Sequence, residues 1–180
     1  MKCILLCKES ESKSICAIAR ALSRPLCDLA VWVFMPHEVN DKHGFHQELE
    51  DFGLNLINSS CYHQKVLQNR GLSTVDLIGK ANQFNTSYYD DIAISSSSLM
   101  LASQFFARGF HDRCYYGKLD WRESLLIFVS SHEYVEEVVM NQPSGSVFLS
   151  LRADEYLREV VSVVCRKKSR KFYQLDSAHI

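Results

Sequence analysis

Met1-Lys2-Cys3-Ile4-Leu5-Leu6-Cys7-Lys8-Glu9-Ser10-Glu11-Ser12-Lys13-Ser14-Ile15-Cys16-Ala17-Ile18-Ala19-Arg20-Ala21-Leu22 opens the chain. Residues 3–7 form a short apolar run, 8–14 a polar, serine-rich turn, and 15–22 a segment of helical character. Strand, turn and helix in that order are how an α/β domain begins, with the strand buried inside a sheet. The turn lies at the carboxyl end of that strand, where open α/β sheets hold their ligands. It contains no glycine, so it is neither a dinucleotide fingerprint nor a P-loop, and Glu9 and Glu11 stand where a phosphate would need bare amides.

The same alternation continues along the chain. Residues 27–34 (Cys-Asp-Leu-Ala-Val-Trp-Val-Phe) make a second apolar strand, stopped by Pro36. Residues 43–52 carry helix formers and Gly53 suits a C-cap, while residues 54–57 are a short third strand. Residues 58–72 are ambiguous; Ser73-Thr74 then caps a helix through Val75, Leu77, Ile78 and Ala81. Residues 88–94 predict a strand that runs into Ser95-Ser96-Ser97-Ser98 and an apolar helix over 99–106, and residues 113–116 a further short strand. Residues 125–129 (Leu-Leu-Ile-Phe-Val) predict a strand leading through Ser130-Ser131 to a helix over 132–140. Residues 146–151 predict the last strand and 154–166 the last helix, trailing into Arg166-Lys167-Lys168-Ser169-Arg170-Lys171.

The expected fold is therefore α/β: a single doubly wound, mostly parallel, Rossmann-like sheet with helices on both faces. Residues 1–165 are expected to form that domain and residues 166–180 a basic C-terminal tail. Ile4, Leu6, Val31, Val33, Ile92, Ile94, Ile127, Val129 and Phe148 are the expected core, on adjacent strands.

Composition bounds the function. At 180 residues the chain buries a core without staples, and 47% hydrophobic with 11% aromatic residues is globular composition. A formal net charge of −1 gives no overall argument for nucleic acid or an anionic membrane, and neither is an expected partner. No apolar stretch reaches the roughly 20 residues of a membrane span, and no signal-peptide pattern opens the chain, so a cytoplasmic location is expected. The seven cysteines, at 3, 7, 16, 27, 61, 114 and 165, are odd in number and show no Cys-x-x-Cys pair, which suits buried thiols in a reducing compartment.

Three serine turns are the candidate ligand site: Ser10, Ser12 and Ser14; Ser96 and Ser97; and Ser130, Ser131 and His132. Each is expected to follow a strand, so on a parallel sheet all three would open on the carboxyl edge and offer helix N-termini to a phosphate-containing small molecule. Serine also caps helices that bind nothing. The identity of any cofactor is not legible. His37, His43, His46, Cys61 and His63 lie near one another in sequence, yet no spacing among them matches an established metal site, and none is expected. Cys7 followed by Lys13-Ser14 resembles the phosphate loop of small tyrosine phosphatases and the strand-end cysteine of sugar-phosphotransfer IIB domains, which implies a phosphotransfer enzyme using Cys7. Burial and the two neighbouring glutamates instead keep such a thiol protonated, so Cys7 is expected to be structural.

Leu126-Ile127-Phe128-Val129-Ser130-Ser131-His132-Glu133-Tyr134-Val135-Glu136-Glu137, followed by Ser146-Val147-Phe148-Leu149, resembles the end of the N-terminal Rossmann-like domain of GT-B-fold glycosyltransferases. Asp91-Ile92-Ala93-Ile94-Ser95-Ser96, running on to Arg108-Gly109, is similar to an earlier strand, turn and helix of that domain. The resemblance covers roughly half of the chain. It implies a half-site binding domain that works with another domain or protein partner in polysaccharide or glycoconjugate synthesis, glycosyltransferase-like in any activity. The glycine-rich loop usual after that family's first strand is absent here. A second resemblance, to nucleotide-binding universal stress proteins, rests on the strand opening and the strand-serine-helix pattern, without their Gly-x-x-Gly loop. A protein–protein interaction module is the remaining alternative.

Overall fold

Five parallel strands carry the first structural unit, in the order β3-β2-β1-β4-β5. They are β1 (Lys2–Cys7), β2 (Asp28–Val33), β3 (Asn55–Leu56), β4 (Val147–Ser150) and β5 (Lys171–Gln174). The computed structural model describes residues 2–7, 18, 28–33, 55–57, 60–89, 121–150 and 155–174. Four helices stand among these: α1 (Ser60–Arg70), α2 (Thr74–Tyr89), α3 (Trp121–Asn141) and α4 (Glu155–Lys167). The chain divides into two compact units, a sheet-bearing one from residues 1–59 and 139–180 and a helical one from residues 60–138.

The apolar runs explain the sheet. In register, Ile4 lies between Ala30 and Phe148, and Leu5 between Val31 and Leu149. Alternate residues point to opposite faces of a strand. One face thus carries Ile4, Leu6, Ala30, Trp32 and Phe148, the other Cys3, Leu5, Leu29, Val31 and Val147, and all ten are buried. A sheet shielded on both faces is the setting in which parallel strands read as continuous apolar runs rather than alternating ones. Trp32 meets Phe148 edge-to-face, with ring centroids 6.3 Å apart. β5 is different in kind: Lys171, Tyr173 and Gln174 are exposed.

Within the basic stretch, Arg166 and Lys167 finish α4 and residues 171–174 pair with β4. Five basic side chains had hidden the short Phe172-Tyr173 core of an edge strand, where charge is tolerated because solvent reaches it. The turn between α4 and β5 closes as a Schellman motif. The Arg170 N–H donates to the Cys165 carbonyl at 2.7 Å, the Ser169 N–H donates to the Arg166 carbonyl at 3.0 Å, and Ser169 takes the left-handed conformation, φ 54°.

In the helical unit, Ser73 caps α2 as expected. Its hydroxyl accepts the Asp76 N–H at 3.2 Å and donates to the Asp76 carboxylate at 2.6 Å. Of the ambiguous residues 58–72, Ser60–Arg70 form α1, and the carbonyls of Arg70 at its end and Leu72 just beyond it each accept a hydrogen bond from the Arg122 guanidinium at 2.9 Å. The strand predicted from residue 88 starts too early, because Tyr88 and Tyr89 still belong to α2.

The largest correction concerns residues 125–129. They are not a strand; α3 runs unbroken from Trp121 to Asn141. Residues 125–132 are all buried, so this part of the helix has no solvent-exposed face, and the apolar run 125–129 shows no amphipathic period. A short apolar run of that kind cannot be told from a strand by periodicity. Ile127 and Val129 are therefore core residues, but of a helix. The parallel sheet stands without them. Ile4, Leu6, Val31 and Phe148 are fully buried on it, Val33 ends β2, and Ile92 and Ile94 lie outside the described residues, as do the predicted helices over 43–52 and 99–106 and the strand over 113–116. Among the described residues no helix is long and apolar enough to cross a membrane.

Candidate functional site

The order β3-β2-β1-β4-β5 places β1 at the centre, with the chain progressing outward to β2 and β3 on one side and to β4 and β5 on the other. The order thus reverses between β1 and β4, and in an open parallel sheet the connections leave the carboxyl ends of two such strands in opposite directions. Such a reversal is the usual ligand position of open α/β sheets. Here the flanking carboxyl ends are Cys7 of β1 and Ser150 of β4, the latter in register with Leu6.

Ser150 is fully buried, and its hydroxyl has no hydrogen-bonding partner among the described residues. A buried polar group left unpaired costs about 1–3 kcal/mol, so each instance calls for an explanation. Ser146, just before β4, is also buried with a hydroxyl that finds no partner among the described residues. Only Ser150 stands at the carboxyl end beside the reversal.

Of the three predicted serine turns, Ser10, Ser12 and Ser14 follow β1 directly but lie outside the described residues, as do Ser96 and Ser97. Ser130, Ser131 and His132 are not in a strand-to-helix turn at all. They sit in the middle of α3, at 0%, 0% and 1% exposure, with their backbone amides inside a continuing helix. A mid-helix amide is already paired and offers nothing to an anion. The described residues therefore bring none of the three turns together.

What Ser130 joins instead is a polar cluster across α1, α2 and α3 that no sequence motif announces. The Asn69 amide donates to Ser130 Oγ at 3.1 Å and to Glu133 Oε2 at 2.7 Å. The Lys80 ammonium donates to Asn69 Oδ1 at 3.0 Å and to Glu133 Oε1 at 2.6 Å. Both carboxylate oxygens and both ends of the amide are engaged, so the ring is closed on itself. A cluster with its donors and acceptors already matched fixes how three helices pack, and leaves little with which to bind a ligand. The i, i+3 spacing of Ser130 and Glu133 puts both on one face of α3 and is the only trace of the cluster in the sequence.

Aromatic side chains of the same three helices also pair with one another. His132 stacks on Phe84 at 4.9 Å and donates from Nδ1 to the Phe128 carbonyl at 2.8 Å. Tyr62 packs edge-to-face on Tyr134 at 5.8 Å. Burial pushes the Tyr62 phenol up to about 12 against a smaller downward pull from Ser131, whose hydroxyl itself falls outside hydrogen-bond geometry. Lys65 pairs with Glu137 at 2.9 Å, and this hydrogen bond raises the lysine above its ordinary value. In the sheet-bearing unit, burial carries the Cys165 thiol up to about 12 despite the opposing Arg170 charge.

Among the described residues no three His, Cys, Asp or Glu side chains come together as a metal site requires, and His37, His43 and His46 lie outside them. No protein-family model matches the chain, no curated protein is detectably similar to it, and no solved structure shares a detectable likeness.

Proposed function

We propose that the sheet-bearing unit is a doubly wound, Rossmann-like domain, with helices on both faces, that binds a phosphate-bearing small molecule at its carboxyl edge. The observation that carries this reading is the reversal of strand order between β1 and β4 in an all-parallel sheet. The Ser150 hydroxyl, without a partner among the described residues, supports it, since a ligand oxygen at the carboxyl edge would supply one. Ser10, Ser12 and Ser14 continue directly from β1 and are the residues proposed to contact the ligand.

Nucleotides, and nucleotide-sugars among them, are the ligand class to test first. A role beside another domain or subunit in glycoconjugate synthesis is the finer form of the proposal and rests on the partial resemblance to GT-B-fold glycosyltransferases. Half of that resemblance read residues 125–131 as strand and turn, and these residues are helical. The carboxyl-edge reading does not depend on it.

The test is a melting-temperature screen of the purified chain against inorganic phosphate, nucleotides and nucleotide-sugars. A ligand that binds only the folded state stabilises by about 2.7 kcal/mol at a hundred times its Kd, a readable shift. Stabilisation that weakens in Ser150→Ala supports the proposal. No shift with any member of the panel contradicts it and leaves the interaction module as the better account.

A further inference from the structure

We propose that Ser169 is a phosphoryl-acceptor site for a serine kinase that reads basic residues, and that phosphate there draws Arg170 away from the turn leading into β4. Arg166, Lys167 and Lys168 precede Ser169, Arg170 and Lys171 follow it, and no acidic residue occurs between Glu159 and Asp176. Such a run of positive charge complements an acidic substrate groove, and complementary charge is a principal means by which kinases select acceptors.

The structure adds three observations. Ser169 is exposed, as are Arg166 and Lys167 on the preceding turn of α4. Ser169 also holds the left-handed position of the Schellman turn, φ 54°, where glycine is the ordinary occupant and a Cβ costs about 1 kcal/mol. A side chain kept at a position that disfavours it points toward use of that side chain. Third, β5 beyond the turn has only four residues, three of them exposed, so the segment belongs to the easily opened end of the stability range. That opening lets a kinase take the acceptor in extended form.

The chemistry is ordinary phosphoryl transfer. Ser169 Oγ bonds to the γ-phosphorus of a nucleoside triphosphate, the bond from that phosphorus to the β–γ bridging oxygen breaks, and the nucleoside diphosphate leaves. The hydroxyl proton passes to the catalytic carboxylate of the kinase. The product carries close to two negative charges at the C-terminal end of α4, where the helix dipole is itself negative, so it must recruit cations. Arg170 is adjacent in sequence, and its guanidinium now donates to the Pro143 carbonyl at 2.9 Å and the Gln142 carbonyl at 3.1 Å. Arginine–phosphate pairs are bidentate and charge-assisted, roughly twice as strong as bonds to neutral acceptors, so the phosphate outcompetes these carbonyls.

The full chain is incubated with magnesium, ATP and either a basophilic or an acid-directed serine kinase, and fragment masses locate the phosphate. The basophilic enzyme should phosphorylate Ser169, with the site absent in Ser169→Gly, a variant that relieves the backbone and so keeps its fold. Arg166→Gln should slow transfer about tenfold, the factor worth about 1.4 kcal/mol of recognition. Phosphorylation should also speed hydrogen exchange of the Ser146 amide, which donates to the Pro143 carbonyl at 2.9 Å. Arg170→Gln alone should reproduce that acceleration. Phosphate found only at other serines, equal transfer by the acid-directed enzyme, or modified Ser169 with unchanged exchange at residues 142–146 would each overturn the proposal.

Discussion

Single side chains decide much of the local geometry, and some were readable in advance. Ser73 was: a serine ahead of an apolar stripe is a cap, and its hydroxyl accepts the Asp76 N–H. Replacing it with alanine should cost about 1 kcal/mol in urea unfolding. Asn69 was not readable, because its partners Ser130 and Glu133 are 61 and 64 residues away and asparagine in a helix has no signature of its own. Asn69→Ala strands a buried hydroxyl and weakens a lysine–carboxylate ring, so it should destabilise by about 1–3 kcal/mol. A loss under a few tenths of a kcal/mol would show that the ring does not hold the helices. Ser169→Gly should act oppositely and raise stability by about 1 kcal/mol, since only the strain of the left-handed turn is removed.

At the scale of elements, the lesson is α3. Leu125-Leu126-Ile127-Phe128-Val129 reads as a strand because burial on every side erases the helical period, while the part after His132 reads as a helix because Glu133, Glu136 and Glu137 restore it. The sheet strands share the same continuous apolar character, and only the flanking residues separate the two cases. Proline at Val129 distinguishes them by experiment: inside a helix it breaks a hydrogen bond and clashes with the preceding turn, costing about 3 kcal/mol or more, with loss of helical circular dichroism. Buried acids in both units contribute to alkaline stability. Tyr62 rises from an ordinary 10.0 to about 12, and Cys165 from 9.0 to about 12. The folded protein holds these protons more tightly than the unfolded chain. Their stabilising effect is intact below the ordinary values and is lost as pH climbs through the window up to about 12. Denaturation midpoints should therefore fall as pH rises from about 9 upward. Tyr62→Phe should flatten the part of the decline above about pH 10.

For the whole molecule, alternation of apolar runs and helical segments was enough for the α/β class and the parallel sheet. Strand order was not, because it depends on which strands pair across long separations: β1 neighbours β4 although roughly the whole helical unit lies between them in sequence. The candidate site was legible only as a rule, that serine turns follow strands. That rule misplaced Ser130, Ser131 and His132 as soon as residues 125–129 proved helical. Ser150 was missed because a serine at a strand's end carries no sign that its hydroxyl is buried with no partner among the described residues. In the absence of ligand, Ser150→Ala should match or exceed the parent in stability, as it removes an unpaired buried hydroxyl. A marked destabilisation would mean that the hydroxyl is paired in solution.

The most direct test of the carboxyl-edge site is backbone-amide chemical-shift mapping during titration with a nucleotide or nucleotide-sugar that raises the melting temperature. The largest shifts should fall at Cys7 and Ser150, the carboxyl ends of β1 and β4, with Lys2 and Val147 at the opposite ends unmoved. Shifts centred on Lys2 and Val147, or confined to the helical unit, would contradict it.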